Sequence, residues 1–291
     1  MLSKSGTTEN LNGIGFMLIS VFFFAVMNAT AKSLHHLPVH ELVLFRSVIV
    51  FVICFYYIKK LHLPVAGNNK KWLLIRGISG LTALLLFFAT LKKLPLASAT
   101  SLQYLSPIFT ILFAVYLNGQ KVRAVQWIYF ALAFAGVLFI KGFDDSIDFR
   151  WVAVGVLSSV VAGFAYNSII RLRNTDHPYT IVMHLTFVSI PVTAVWSMFD
   201  FVMPRGSDWL WLLLMGICTQ IAQFYATKAL ISGKADQVTP WNYTGAVFSL
   251  FIGYFIFGEM ISWSALTGIG LIILALVLNS RMKEIQKFKS D

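Results

Sequence analysis

The chain repeats itself. Gly77, Ile78, Ala83, Leu91, Thr100, Tyr104, Phe109 and Gly119 recur 139 residues later as Gly216, Ile217, Ala222, Leu230, Thr239, Tyr243, Phe248 and Gly258. Upstream, Gly15, Ala25 and Pro38 are echoed at a spacing of 140 by Gly155, Ala165 and Pro178. Each copy contains five apolar segments of about 20 residues, the length that crosses a hydrocarbon layer of about 30 Å. Five crossings are an odd number, so the second copy enters the bilayer upside down relative to the first. Inverted repeats of this kind place a polar site near the midplane where the halves meet, an arrangement of secondary transporters.

Composition fixes the class. Hydrophobic residues make up 58% of 291 residues and charged ones 12%, against roughly 25% charged in an ordinary soluble domain. The expected fold is an all-α integral membrane protein of ten transmembrane helices, two inverted five-helix repeats over residues 1–141 and 142–291. The expected spans are 13–34, 40–58, 72–91, 97–117, 124–141, 150–171, 178–199, 208–230, 238–257 and 262–280. The longest connection is Lys59–Lys71, so any function must be carried by the bundle itself. Cys54 and Cys218 both fall inside apolar spans, which argues against a disulfide framework or a metal site. The first span is too long for a signal-peptide core and is expected to be retained.

The net charge of +11 would suit a nucleic-acid partner, but its distribution points elsewhere. With both ends cytoplasmic, 14 Lys/Arg fall on inside segments and 6 on outside ones, while Arg46, Arg76 and Lys228 lie within spans. That asymmetry is the positive-inside rule, and it orients the chain with both termini in the cytoplasm of an inner (plasma) membrane. The repeat tests the orientation. Gly119-Gln120-Lys121-Val122-Arg123, expected inside, matches Gly258-Glu259-Met260-Ile261-Ser262, expected outside, and both cations are gone. Lys92 and Lys93, on an outside turn, run against the trend.

At this level the chain resembles the drug/metabolite transporter superfamily, specifically the EamA-type carriers of ten spans in two repeats. The resemblance rests on Arg76-Gly77, Leu96-Ala97-Ser98-Ala99-Thr100 and Tyr104-Leu105-Ser106-Pro107-Ile108-Phe109, with Arg46 in the second span and Gly258-Glu259 closing the ninth. The first copy departs from the glycine–glutamate ending, carrying Gly119-Gln120. The resemblance implies a basket-like helical bundle around a central cavity, with alternating access. It also implies a structural role for an arginine at position 46. It does not fix the substrate.

Within hydrocarbon a polar side chain needs a partner or a wet cavity. The first candidates for substrate contact are the pairs that coincide across the repeat, Gln103-Tyr104 and Asn242-Tyr243. An amide beside a phenol offers donors, an acceptor and an aromatic face to a small polar solute. Trp241, Asn28, Tyr166, Asn167, Gln220 and Gln223 extend the set, and Gln220 and Gln223 share a helix face. The alternative for each is an interhelical hydrogen bond or plain packing. Pro107 and Pro240 are candidate helix breaks, Pro240 equally a helix start. Arg46, eight residues after Pro38, lies roughly 12 Å deep and could attract a carboxylate. His184 could carry protons or bond across helices. Arg76 and Lys228 lie within about a turn of the cytoplasmic side, where snorkelling is expected.

No Asp or Glu lies in the middle of a span, so a carboxylate proton relay or a cage for an organic cation has no obvious residues. The cargo expected is neutral, zwitterionic or anionic. No phosphate loop, HExxH, GxSxG or Cys/His cluster is present. The expected partners are a small-molecule substrate and the lipid bilayer, with no nucleic acid, no cofactor and no metal, in a monomer or homodimer. A carrier of a small polar metabolite, such as an amino acid or nucleotide-like solute, explains these features together. A lipid-handling or structural membrane protein is the alternative, and an intramembrane enzyme lacks the residues it would need.

Overall fold

The structure is a computed structural model that describes residues 5–93, 96–119, 122–141, 149–257 and 263–290. Every regular element among the described residues is helical: α1 (Ser5–Ser33), α2 (Val39–Lys60), α3 (Lys70–Lys93), α4 (Leu96–Gln103), α5 (Ser106–Asn118), α6 (Ala124–Lys141), α7 (Phe149–Leu172), α8 (Pro178–Ser197), α9 (Asp208–Ser232), α10 (Ala235–Val238), a 3-10 turn (Thr239–Tyr243), α11 (Thr244–Phe257) and α12 (Trp263–Ser290). Six of these helices, α1, α2, α3, α7, α8 and α9, are long and apolar enough to cross a membrane. Shorter apolar stretches run through Ser106–Leu117, Ala124–Gly136 and Leu266–Ala275.

Two expected spans are divided. The segment 97–117 breaks at Tyr104-Leu105 between α4 and α5. Pro107 explains the position, because its ring clashes with the carbonyl four residues back, on Gln103, where α4 ends. The proline itself sits in the first turn of α5, where a missing N–H costs little. The segment 238–257 divides into α10, the 3-10 turn containing Pro240, and α11. α1 begins at Ser5, ahead of the expected residue 13, and α12 runs on to Ser290 through the basic tail, whose Met, Lys, Glu and Gln are good helix formers. Gln120, Lys121 and the Gly258-Glu259 pair of the loop comparison lie outside the described residues.

The helices pack in a regular scheme. α1 lies along α9 and α3 along α7, α2 faces α8, and α6 faces α12. Hydroxyls tie the central pairs: Ser20 Oγ donates to Ala222 O at 2.8 Å, joining α1 to α9, and Ser158 Oγ donates to Ala83 O at 2.8 Å, joining α7 to α3. Glycine brings α3 close to α8, since a Cβ on Gly77 would stand 2.9 Å from His184 O. The outer surface is apolar, with Val52, Leu210 and Phe255 exposed, as a hydrocarbon surround allows.

Candidate functional site

Helical periodicity assembles a cavity inside the bundle. On α1, Val21, Phe24, Ala25 and Asn28 form one stripe of the helix, and on α3 Arg76, Gly80, Ala83, Leu84 and Phe87 form another. α2 contributes Arg46, α7 Tyr166 with Ala162 and Ala165, α8 Leu185 and α9 Gln223. The divided segments reach the cavity at their breaks, through Thr100, Gln103, Tyr104 and Ser106 on one side and Asn242 of the 3-10 turn on the other. Breaks bring backbone and polar side chains inward without exposing unpaired groups to lipid.

Asn28, Arg46, Gln103, Tyr104, Tyr166, Gln223 and Asn242, all expected from sequence, therefore meet in one place. Gln103 Oε1 accepts from Ser158 Oγ at 3.3 Å. The Tyr104 ring lines the cavity while its hydroxyl bonds to Ser249 on α11.

Other expected residues stand elsewhere. Tyr243 is fully buried against Ala133, Ala246, Ile272 and Ala275, between the 3-10 turn, α6, α11 and α12, and its hydroxyl has no partner. Trp241 packs with neighbouring apolar clusters. Asn167 Nδ2 donates to Thr110 O at 2.8 Å and Gly163 O at 3.0 Å, wedging α7 against α5. Gln220 Oε1 accepts from Cys54 Sγ at 3.2 Å and joins α9 to α2. His184 Nδ1 bonds to Thr180 O at 2.9 Å, and its ring lies against exposed Phe187. Pro107 and Pro240 shape the breaks from buried positions in the turns.

Arg76 is where structure and sequence part. Instead of snorkelling to the end of α3, it is 2% exposed and lines the cavity. Long helical side chains ordinarily lean toward the helix N-terminus. Here the guanidinium lies along the following turn, because Gly80 leaves the space: a Cβ there would collide with Arg76 Nη1. Its Nη2 donates to Gln223 Oε1 at 3.1 Å. The pattern Arg-x-x-x-Gly, four residues apart and so on one helix face, is the sequence signal that could have found it.

Arg46, also 2% exposed, donates from Nη1 to Met27 Sδ at 3.8 Å, a weak acceptor. Asn28 Oδ1, Arg46 Nε and Arg76 Nε are buried without a hydrogen-bond partner.

The cavity runs from Arg76, Tyr166 and Gln223 toward the end of the bundle where α3 finishes. In the opposite direction Tyr166 and Asn242 also border a narrow void with no room for a water molecule, lined further by Met17, Thr110, Ala226, Leu230 and Thr239. Beyond that void, polar contacts join the connections at that end. Arg173 donates to Ile231 O and, at 2.8 Å, to Gly233 O. The Asp176 carboxylate accepts from the backbone N–H groups of Asn68 at 2.6 Å and Asn69 at 3.2 Å.

Comparison with known proteins gives this architecture a context. The profile of the EamA-like transporter family matches residues 11–142 and again residues 149–281. The pseudopaline exporter CntI of Pseudomonas aeruginosa is 31% identical over 280 residues, 94% of this chain and 97% of that protein. A riboflavin transporter of Vibrio cholerae is 24% identical over 274 residues, 91% of each chain. A solved crystal structure shares the fold with a TM-score of 0.79 at 17% identity, covering 95% of this chain and 99% of its own. A family profile that matches twice across the two halves, and relatives named as transporters along nearly the whole length, show that the chain belongs to the EamA-like transporter family.

Proposed function

We propose that the protein carries a small polar organic solute across the plasma membrane by alternating access, as ten spans in two inverted five-helix repeats with both termini cytoplasmic. The carrying observation is the cavity itself: Asn28, Arg46 and Arg76 line it, and a polar atom of each is buried without a partner in the protein. Unpaired polar groups in hydrocarbon cost several kcal/mol each unless water or a ligand satisfies them.

The packing scheme supports the repeat. Exchanging the halves turns the α1–α9 pair into α7–α3, turns α5–α7 into α11–α1, and leaves the α2–α8 and α6–α12 pairs as they are. Ala83 and Ala222, equivalent in the repeat, each accept a serine hydroxyl from the first helix of the other half. The relatives named for organic metabolites, pseudopaline and riboflavin, favour an organic cargo.

Reconstitution into liposomes tests the reading. Radiolabelled amino acids, carboxylates and nucleotides, each screened first for thermal stabilisation of the purified protein, are loaded on one side and exchanged against the other. We expect saturable exchange of at least one of them, reduced by Gln223→Ala and by Asn242→Ala in protein that remains folded. Lipid scrambling without exchange of any of these solutes overturns it.

A further inference from the structure

Two guanidinium groups share one cavity from which acidic side chains are missing. Arg46 and Arg76 come from different helices, are each 2% exposed, and both line the same space. They lie close enough to feel one another's charge, with the Tyr166 phenol beside both. Among the described residues no carboxylate lines the cavity. Glu41, Asp176 and Asp208 are occupied at element ends, by Val202 N, by Asn68 and Asn69 N, and by His36. Every remaining Asp or Glu lies outside the middle of the spans in sequence.

Burial normally leaves a charged group two escapes, pairing or loss of its charge. A guanidinium does not lose its proton, so only pairing remains. Arg76 has found a neutral amide in Gln223, and Arg46 a thioether in Met27. Neither acceptor balances a positive charge, and the Nε of both arginines is left over. Two like charges in one low-dielectric space also repel. Each feature is unfavourable in the empty site and becomes favourable once an anion enters. A fork of N–H donors is also the geometry that recognises carboxylate and phosphate oxygens. Phe24 and Phe87, from α1 and α3, wall the same space with apolar surface that suits a carbon skeleton.

We infer that the cavity binds a small organic solute bearing two negative charges, one taken by Arg46 and one by Arg76. The inference rests on the carrier reading and narrows its substrate class; dicarboxylates and phosphate monoesters share the required chemistry.

The test begins on the ligand side with the unmutated full chain. In detergent, its unfolding temperature is measured against millimolar succinate, succinamate and succinamide, which remove one charge at a time, with glycerol phosphate as the phosphate arm and putrescine as a dication. Succinate or glycerol phosphate should stabilise saturably, and whichever is stronger identifies the anion preferred. Each charge removed from the succinate skeleton should weaken half-saturation about tenfold, the scale of one charge-assisted hydrogen bond. Arg46→Gln and Arg76→Gln should each weaken the dianion to the level of a monoanion in the unmutated chain, whereas Arg76→Lys, which keeps the charge, should lose less.

Equal stabilisation by all three succinate derivatives, stabilisation by putrescine, or no shift with either dianion overturns the inference, whatever the variants do. Exchange of a neutral solute in liposomes without any dianion effect would leave the carrier reading standing and this one refuted. Dianion binding without exchange of any solute would do the reverse.

Discussion

Arg76 reaches the cavity because the residue one turn further along α3 has no side chain. A Cβ on Gly80 would meet Arg76 Nη1 and would stand 2.7 Å from Leu185 Cδ1. Gly80→Ala should therefore displace the guanidinium and overpack the α3–α8 contact, lowering stability by about 1–3 kcal/mol and slowing solute exchange. Gly15→Ala is the control: no atom comes within 4 Å of a Cβ there, so helix propensity alone should stabilise α1 by about 0.5–1 kcal/mol. Thermal unfolding of both variants, with exchange in liposomes, checks the pair, and an unaffected Gly80→Ala protein would remove the steric account of Arg76. Counting residues from the start of a helix gave the depth of Arg76 but not the direction of its side chain, which depends on a neighbour's volume. The same limit explains Tyr104 and Tyr243. Alignment makes them equivalent, yet Tyr104 opens a two-residue break and lines the cavity, while Tyr243 ends a 3-10 turn and packs against α6 and α12. A repeat relates positions along the chain; the helical phase at each break decides which way they face.

At the scale of elements, α8 depends on how its first turn is capped. His177 precedes Pro178 in extended conformation, and its Nδ1 accepts the N–H of Tyr179 at 3.3 Å, an arrangement that requires the ring nitrogen to be unprotonated. Burial first, and the positive charge of Lys228 second, hold the His177 pKa below its usual 6.5. The unfolded imidazole therefore takes up a proton at higher pH than the folded one. Above 6.5 both forms are neutral and His177 makes the protein neither more nor less stable with pH. Below it the unfolded state binds more protons, so stability falls as the solution is acidified. Unfolding temperatures measured from about pH 8 to pH 5 should decline on the acid side, and His177→Asn, which keeps a capping oxygen but does not titrate, should flatten that part of the curve. An unchanged decline would assign the acid sensitivity to other groups. The expected span 178–199 starts where α8 does, at Pro178, a residue suited to a first helical turn. α8 runs through Pro191 without a break. Pro191 lacks the N–H that would reach Phe187 O, and the hydroxyls of Ser189 and Thr193 bond instead to Leu185 O and Ser189 O.

For the whole molecule, the cavity and the narrow void meet at Tyr166 and Asn242, which border both spaces. Alternating access requires the void to open when the cavity closes, and the ties at its end oppose that opening. Arg173 fastens the α7–α8 connection to the end of α9, and Asp176 fastens it to the α2–α3 connection. These polar residues sit on connections that the proposed topology puts in the cytoplasm, and under that proposal the observed state is closed on that side. Thr239 reports on the void, since it is buried and its hydroxyl has no partner, which makes Thr239→Cys a mild change. A membrane-impermeant maleimide added from the cytoplasmic side of inside-out vesicles should leave that cysteine unlabelled in the otherwise unaltered protein. Adding Arg173→Ala and Asp176→Ala should make it reactive, because both ties are lost and the equilibrium shifts toward the state open at that end. The buried native Cys54 and Cys218 set the background. Asn28→Cys, in the cavity, should react from the opposite face in the unaltered state and less when the ties are cut, because one line of access cannot be open at both ends. Labelling of both cysteines from one side, or no response of Thr239→Cys to loss of the ties, would mean that these contacts do not hold the gate. The orientation itself is tested with the ties cut: labelling of Thr239→Cys only from the face opposite the cytoplasm would invert the topology read from the lysines and arginines.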